Sequence, residues 1–237
     1  MTETYDPFWI ADEDAWQNDE FSRSTYARIY PVIADQILER TRITRGACLD
    51  VGSGLALLAI ALALQSELRV TALDSSQEMH EQAQKNIRDR CMEEMVIPVT
   101  GDVRAIPAPG ATFSLVVSRG SFHSWEDFPA AFREIYRVLE PGGMAYIGGG
   151  YGSARLRDEV QACRGMRGIM KGSVPPVKSR FRKIGSAEIA IAMEVAGIRD
   201  YRIISDDSGF WIVFRKNDDP RTSPENQLDF RHGFFFT

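Results

Sequence analysis

Apolar and polar positions along the chain switch repeatedly between helical spacing and short apolar runs. Over residues 21–42, Tyr26, Ile29, Tyr30, Ile33, Ile37 and Leu38 recur at helical spacing, and Pro31 predicts a bend or restart within that helix. Residues 47–51 form a short apolar run that ends in Gly52-Ser53-Gly54 and passes into helix formers as far as Leu64. That pattern predicts a buried parallel strand, a tight turn and a covering helix begun at Gly54. A second strand is predicted over 68–73, closed by Asp74. Ser75 and Glu78 then form a capping box for a helix running to about Arg90. Residues 95–100, 113–118 and 144–149 read as further strands, and 126–139 as an amphipathic helix. The last of these strands ends in Gly148-Gly149-Gly150-Tyr151-Gly152, which predicts a backbone close to a substrate or a hinge. Residues 186–196 read as a helix closed by Gly197. Residues 200–205 and 209–216 make an antiparallel hairpin. Strands alternating with helices predict an α/β protein.

The first turn carries the candidate chemistry. Gly52 and Gly54 can adopt backbone angles closed to other residues and put no side chain between backbone and ligand. The following helix aims free N–H groups and the positive end of its dipole over the turn. Asp50 adds a carboxylate facing the same crevice. A dinucleotide fingerprint would require a third glycine where Leu57 stands.

Composition narrows the classes. The chain has 237 residues, 44% hydrophobic and 26% charged, which suits one soluble α/β domain with extensions. A net charge of −5 argues against general affinity for nucleic acid or membrane surfaces. Cys48, Cys91 and Cys163 are odd in number and show no C-x-x-C, which predicts a reducing, cytoplasmic setting without disulfides or structural zinc. His80, His123 and His232 form no H-x-x-x-H pair, so no metal is expected. The acidic N-terminus lacks a signal-peptide core. The apolar run over 55–64 is shorter than the ~20 residues that span a bilayer.

The string Asp50-Val51-Gly52-Ser53-Gly54-Leu55-Ala56 resembles motif I of the class I S-adenosylmethionine (SAM) methyltransferases, with Ala56 in the last glycine's place. Asp74 stands twenty residues past Gly54, where a carboxylate can accept both hydroxyls of a ribose. Gly101-Asp102-Val103, with Ala105-Ile106-Pro107 after it, resembles the family's adenine-binding step. The segment from Phe113 to Val116 resembles its F-D-L-V strand, with Ser114 for the acid, and that from Arg137 to Gly143 its R-V-L-K-P-G-G turn. In this order, over about residues 46–150, the motifs identify the chain as a member of that family, in its small-molecule (UbiE-like, methyltransferase type 11/25) branch. The resemblance implies a Rossmann-like three-layer sandwich around a seven-stranded, mostly parallel sheet, in the order 3-2-1-4-5-7-6 with the last strand antiparallel. It implies SAM as cofactor, S-adenosylhomocysteine as product, and no metal.

By the same resemblance, Asp50, Gly52, Ser53 and Gly54 hold the methionine part, Asp74 the ribose, and Asp102 and Val103 the adenine, with Ser75 and Ser118 also on the cofactor side. Tyr30, Arg119 and Trp125 line the acceptor. Tyr26 and Tyr30 are either core or aromatic faces turned to a sulfonium. Arg119 orients an anionic group or pairs with a helix. His123 is the candidate general base, needed only if the acceptor loses a proton during transfer. Its alternative is a structural or substrate-shaping histidine.

Residues 1–45 are expected to form an arm and helix over the cofactor site, the acidic, aromatic arm being either tacked down or a flap. Residues 46–216 form the methyltransferase domain, with a basic insertion at 153–185 and a tail at 217–237. The insertion, with a loop around Pro175 and Pro176, is either a solvated face or a surface for an anionic substrate or acidic partner. The tail's Phe230, Phe234, Phe235 and Phe236 predict docking on the domain or on a second subunit, hence a homo-oligomer. Ser118-Arg119-Gly120-Ser121 stands where an amino methyltransferase would carry N-P-P-Y or D-P-P-Y, so a small-molecule acceptor is the default. Three other classes stay open: a SAM-binding scaffold or regulatory protein without transfer, a nucleic-acid methyltransferase using the insertion, and an NAD-linked oxidoreductase, which Leu57 and Asp102 oppose. Turnover, steeply salt-dependent RNA or DNA binding, and cofactor titration separate them.

Overall fold

The computed structural model describes residues 27–170 and 184–217, without the side chains of 163–170. One sheet contains β1 (Arg45–Val51), β2 (Glu67–Asp74), β3 (Val96–Thr100), β4 (Phe113–Arg119), β5 (Leu139–Gly149), β6 (Tyr201–Asp206) and β7 (Gly209–Arg215). Their order is β3-β2-β1-β4-β5-β7-β6. Only β7 runs antiparallel to its neighbours, as expected for this fold. The sheet is mostly parallel because helices return the chain to the same edge: α1 (Ile29–Thr41) precedes β1, and α2 (Leu57–Gln65), α3 (Gln77–Arg88), α4 (Phe128–Val138), α5 (Ala154–Met170) and α6 (Ser186–Val195) follow.

Two cores flank the sheet. On one face α1, α2 and α3 cover Cys48, Val70, Leu115 and Tyr146; on the other α4 and α6 cover Leu49, Val116, Ile147 and Ile212. β4 lies at the centre, and its first six residues are buried, hence its unbroken apolar sequence. α2 is buried from Leu58 to Ala63, and its sequence is apolar all round. α4 instead turns Phe128, Phe132, Ile135 and Tyr136 inward, where Phe132 meets Trp125 edge-on at 6.0 Å. Arg40 on α1 ties the first face to the hairpin, donating to the Tyr146 hydroxyl at 2.7 Å and to Asp206 at 2.9 Å.

Three local expectations change. α2 begins at Leu57, not Gly54, because Gly52, Gly54 and Ala56 all have positive φ and extend the turn. The cap of α3 is Ser76, whose Oγ accepts from the Met79 N–H at 3.3 Å, rather than a Ser75–Glu78 box. Gly150, read as a backbone approach to substrate or a hinge, packs instead against the β6–β7 hairpin: a Cβ there would lie 2.0 Å from the Ser208 carbonyl oxygen. Part of the basic insertion is the helix α5, held by Leu156 and Val160 in the core. Its Arg155 reaches Glu159 at 3.7 Å, and its Arg157 reaches Asp158 at 3.2 Å and Asp207 at 3.9 Å. The arm over 1–26 with Tyr26, the stretch 171–183 and the tail from 218 lie outside the described residues.

Candidate functional site

Strand register gathers the acidic residues. Val51 pairs with Leu73, and Asp74 pairs with Thr100, so Asp50, Asp74 and Asp102 all come to the carboxyl-end edge of the sheet. The chain order reverses there, β1 lying between β2 and β4, which opens a crevice at the switch point. A cavity of about 460 Å³ occupies it, a size suited to a small-molecule ligand. Its walls include Gly52, Gly54, Asp74, Ser75, Asp102 and Val103, and across from them Ser121, His123 and Trp125. A second, narrow recess shares Gly52 with it and is lined by Asp50, Ser53, Tyr30 and Arg119.

The turn is built for close approach. Gly52 has φ +65°, and a Cβ on it would lie 2.2 Å from the Ser121 side chain. Ser121 is fixed in turn by its bonds to the Val51 carbonyl at 3.0 Å and the Ser118 hydroxyl at 2.7 Å. Ser118 is therefore fully buried behind the wall rather than part of it. Ser121 was not singled out in the sequence, because only the fold brings it against Gly52. Asp74 braces the turn, accepting from the Gly54 N–H at 2.8 Å on one oxygen and from the Ser76 N–H at 2.9 Å on the other. The outward lone pairs of its carboxylate remain for a diol.

Asp50 is 1% exposed, and its Oδ2 has no hydrogen-bond partner. Burial pushes its pKa up to about 8, with the Ala59 N–H lowering it and the charge of Asp74 raising it. A buried carboxyl with an idle oxygen at the wall of a recess suits a cationic group.

Tyr30 and Arg119 meet at the mouth of the recess. The guanidinium donates to the Tyr30 hydroxyl at 3.3 Å and to the Gly150 carbonyl at 3.1 Å, and its carbon stands 5.2 Å from the Tyr30 ring centre. His123 is buried; burial and then the charge of Arg119 lower its pKa to about 4. It is therefore neutral near pH 7 but a weak base, which opposes the general-base expectation. Trp125 is mostly buried among Phe122, Phe128 and Phe132, with one surface on the cavity. Asp102 is half-exposed at the cavity edge, its carboxylate gripped by Arg104, a residue the motif does not mark. Among the described residues, no cluster of histidine, cysteine and carboxylates could hold a metal.

Comparison with known proteins agrees with this geometry. The family described as methyltransferase domain matches residues 49–147. A solved structure from Methanococcus maripaludis, assigned as an S-adenosyl-L-methionine-dependent methyltransferase, is 40% identical, with a TM-score of 0.75 over 92% of this chain and 98% of that one. The rice chloroplastic 2-methyl-6-phytyl-1,4-hydroquinone methyltransferase 1 is 37% identical over 96 residues, 40% of this chain and 28% of that protein. The 27-O-demethylrifamycin SV methyltransferase of Amycolatopsis mediterranei is 30% identical over 100 residues, 42% of this chain and 37% of that protein. The chain thus matches only about a third of the length of these curated relatives.

Proposed function

This chain belongs to the class I S-adenosylmethionine-dependent methyltransferase family, and we propose that it transfers a methyl group to a small-molecule acceptor whose nucleophile ionises readily, such as a phenol-like hydroxyl. The observation that carries the reading is the single cavity joining the 52–54 turn, Asp74 and the Asp102–Val103 step. One feature fits the cofactor independently of any motif: the idle, buried Asp50 oxygen suits an α-ammonium group. In this reading Asp74 takes the ribose diol, and Asp102 takes the adenine amino group beside the Val103 N–H. S-adenosylmethionine, when bound, supplies a methyl group already activated on a sulfonium. The protein then has to orient the acceptor in line at about 3–3.5 Å and keep water out.

Tyr30 and Arg119 would line the transfer end, Arg119 favouring an acceptor that carries negative charge. Neutral His123 would hydrogen-bond the acceptor rather than deprotonate it. An already acidic nucleophile follows from that weak basicity. The two curated relatives are named for a hydroquinone and for demethylrifamycin SV, both small molecules, which supports an acceptor of that size class. The domain boundaries expected at residues 46 and 216 are proposed on the same footing, as is a soluble setting; among the described residues no helix is long and apolar enough to cross a membrane.

Calorimetric titration with SAM, S-adenosylhomocysteine and NAD tests the cofactor, repeated on Asp74→Ala. Micromolar binding of the first two, lost in the variant, is expected, and turnover with phenolic acceptors should follow. Binding of NAD alone, or of none of the three, would overturn the reading.

A further inference from the structure

Asp102 is a poor recognition group taken alone. It follows β3 in a loop, and its side chain is 41% exposed, so water and free rotation compete with any ligand. The structure removes that freedom through one residue. Arg104 returns across a single bridge between Asp102 and Ala105 and grips both carboxylate oxygens. Oδ1 accepts from the Arg104 backbone N–H at 2.7 Å and from Nε at 3.0 Å; Oδ2 accepts from Nη2 at 2.7 Å, with Nε farther off at 3.2 Å. The other edge of the guanidinium is also fixed: Nη1 donates at 2.9 Å to Glu126, which comes from the segment before α4 and also lines the cavity.

We propose that Arg104 is the positioning residue for the cofactor's base: it locks the Asp102 carboxylate in one orientation, with Glu126 as its second anchor, and so sets selectivity for an amino-bearing purine. The inference rests on the reading of Asp102 as the adenine contact. Lone-pair accounting gives it content. Each oxygen takes one donor at 2.7 Å and the single Nε–H is shared between them, nearer Oδ1 at 3.0 Å than Oδ2 at 3.2 Å, so Oδ2 keeps the larger share of a lone pair. The ligand group that suits that lone pair is an N–H donor. A carbonyl at the same ring position would meet it lone pair to lone pair. Arginine suits the task because its planar fork holds a carboxylate at two points and stays charged at every working pH. Lysine offers the charge without the fork.

An exposed ion pair adds little to stability, so the test reads base selectivity instead. Binding of S-adenosylhomocysteine and of S-inosylhomocysteine, its deaminated analogue, is measured by calorimetry on wild type, Arg104→Gln, Arg104→Lys, Glu126→Gln and Asp102→Asn. Wild type should prefer the amino-bearing ligand by roughly ten- to a hundredfold, the range of one hydrogen bond to a charged group. Arg104→Gln should cut that preference by about tenfold, Arg104→Lys should fail to restore it, and Glu126→Gln should lower it less. Thermal melting checks that each variant folds. Asp102→Asn should abolish the preference. If it does and Arg104→Gln leaves the preference intact, the positioning role is overturned alone. A preference absent from wild type, or retained in Asp102→Asn, overturns the adenine reading and the inference with it.

Discussion

Substituting Asp50 by Asn should make the free protein more stable than wild type at alkaline pH, by an amount that grows with pH. In the unfolded chain this carboxyl ionises near its ordinary 3.8; in the folded protein burial holds the midpoint at about 8. The folded state therefore keeps a proton that the unfolded state has lost throughout that window. The raised pKa means that the group's favourable contribution is complete below about pH 4 and is lost as pH rises through about 8. At ~1.36 kcal/mol per pH unit, tapering as the folded group begins to ionise, wild type should lose about 2 kcal/mol relative to the variant between pH 6 and pH 8. For a chain of this size that corresponds to roughly 5–9 °C in melting temperature. Asn has nearly the same shape and can still accept from the Ala59 N–H. Any constant cost of its amide cancels when the two pH values are compared. The assay is thermal or urea unfolding of both proteins, without cofactor, at pH 6 and pH 8. Parallel pH profiles would refute the claim that Asp50 sits protonated in the folded protein. The same substitution should weaken SAM binding by roughly tenfold or more, since the Asp50 carboxyl can give up its proton when an α-ammonium group arrives and pair with it as a carboxylate, whereas an amide cannot.

Three further outcomes follow from the geometry. Gly52→Ala forces a Cβ to 2.2 Å from Ser121 at φ +65°; it should lower stability by about 1–3 kcal/mol and abolish SAM binding, and near-native affinity would contradict the cradle. The His123 imidazole, followed by NMR through a pH titration, should stay neutral down to about pH 5 and titrate near 4; a midpoint near 6.5 would restore it as a general base. Arg40→Met removes the donor shared by the Tyr146 hydroxyl and Asp206; an unfolding loss of about 1 kcal/mol is expected with no change in SAM affinity, and lost affinity would show that α1 is coupled to the cofactor crevice.

The sequence by itself determined the sheet. Apolar runs closed by glycine or aspartate, separated by helical spacing, are local consequences of backbone satisfaction and burial. They placed every strand to within a few residues, apart from the start of β5. Asp50, Gly52, Asp74 and Asp102 were legible for the same reason: each lies at or just beyond the end of a strand, and parallel register carries all such ends to one edge. What a residue meets across the chain was not legible. Ser118 and Ser121 look alike in sequence, yet one is sealed behind the wall and the other props the Gly52 turn. The glycines at the end of β5 read as a close approach to substrate or a hinge, and the hairpin that crowds Gly148 and Gly150 lies some sixty residues downstream. Arg104 carries no signal in the sequence; only the fold sets it between Asp102 and Glu126, twenty-two residues farther on. Only tertiary structure decided the proton on Asp50 and the weak basicity of His123, because both depend on lost water and on charges from distant segments, which no local pattern encodes.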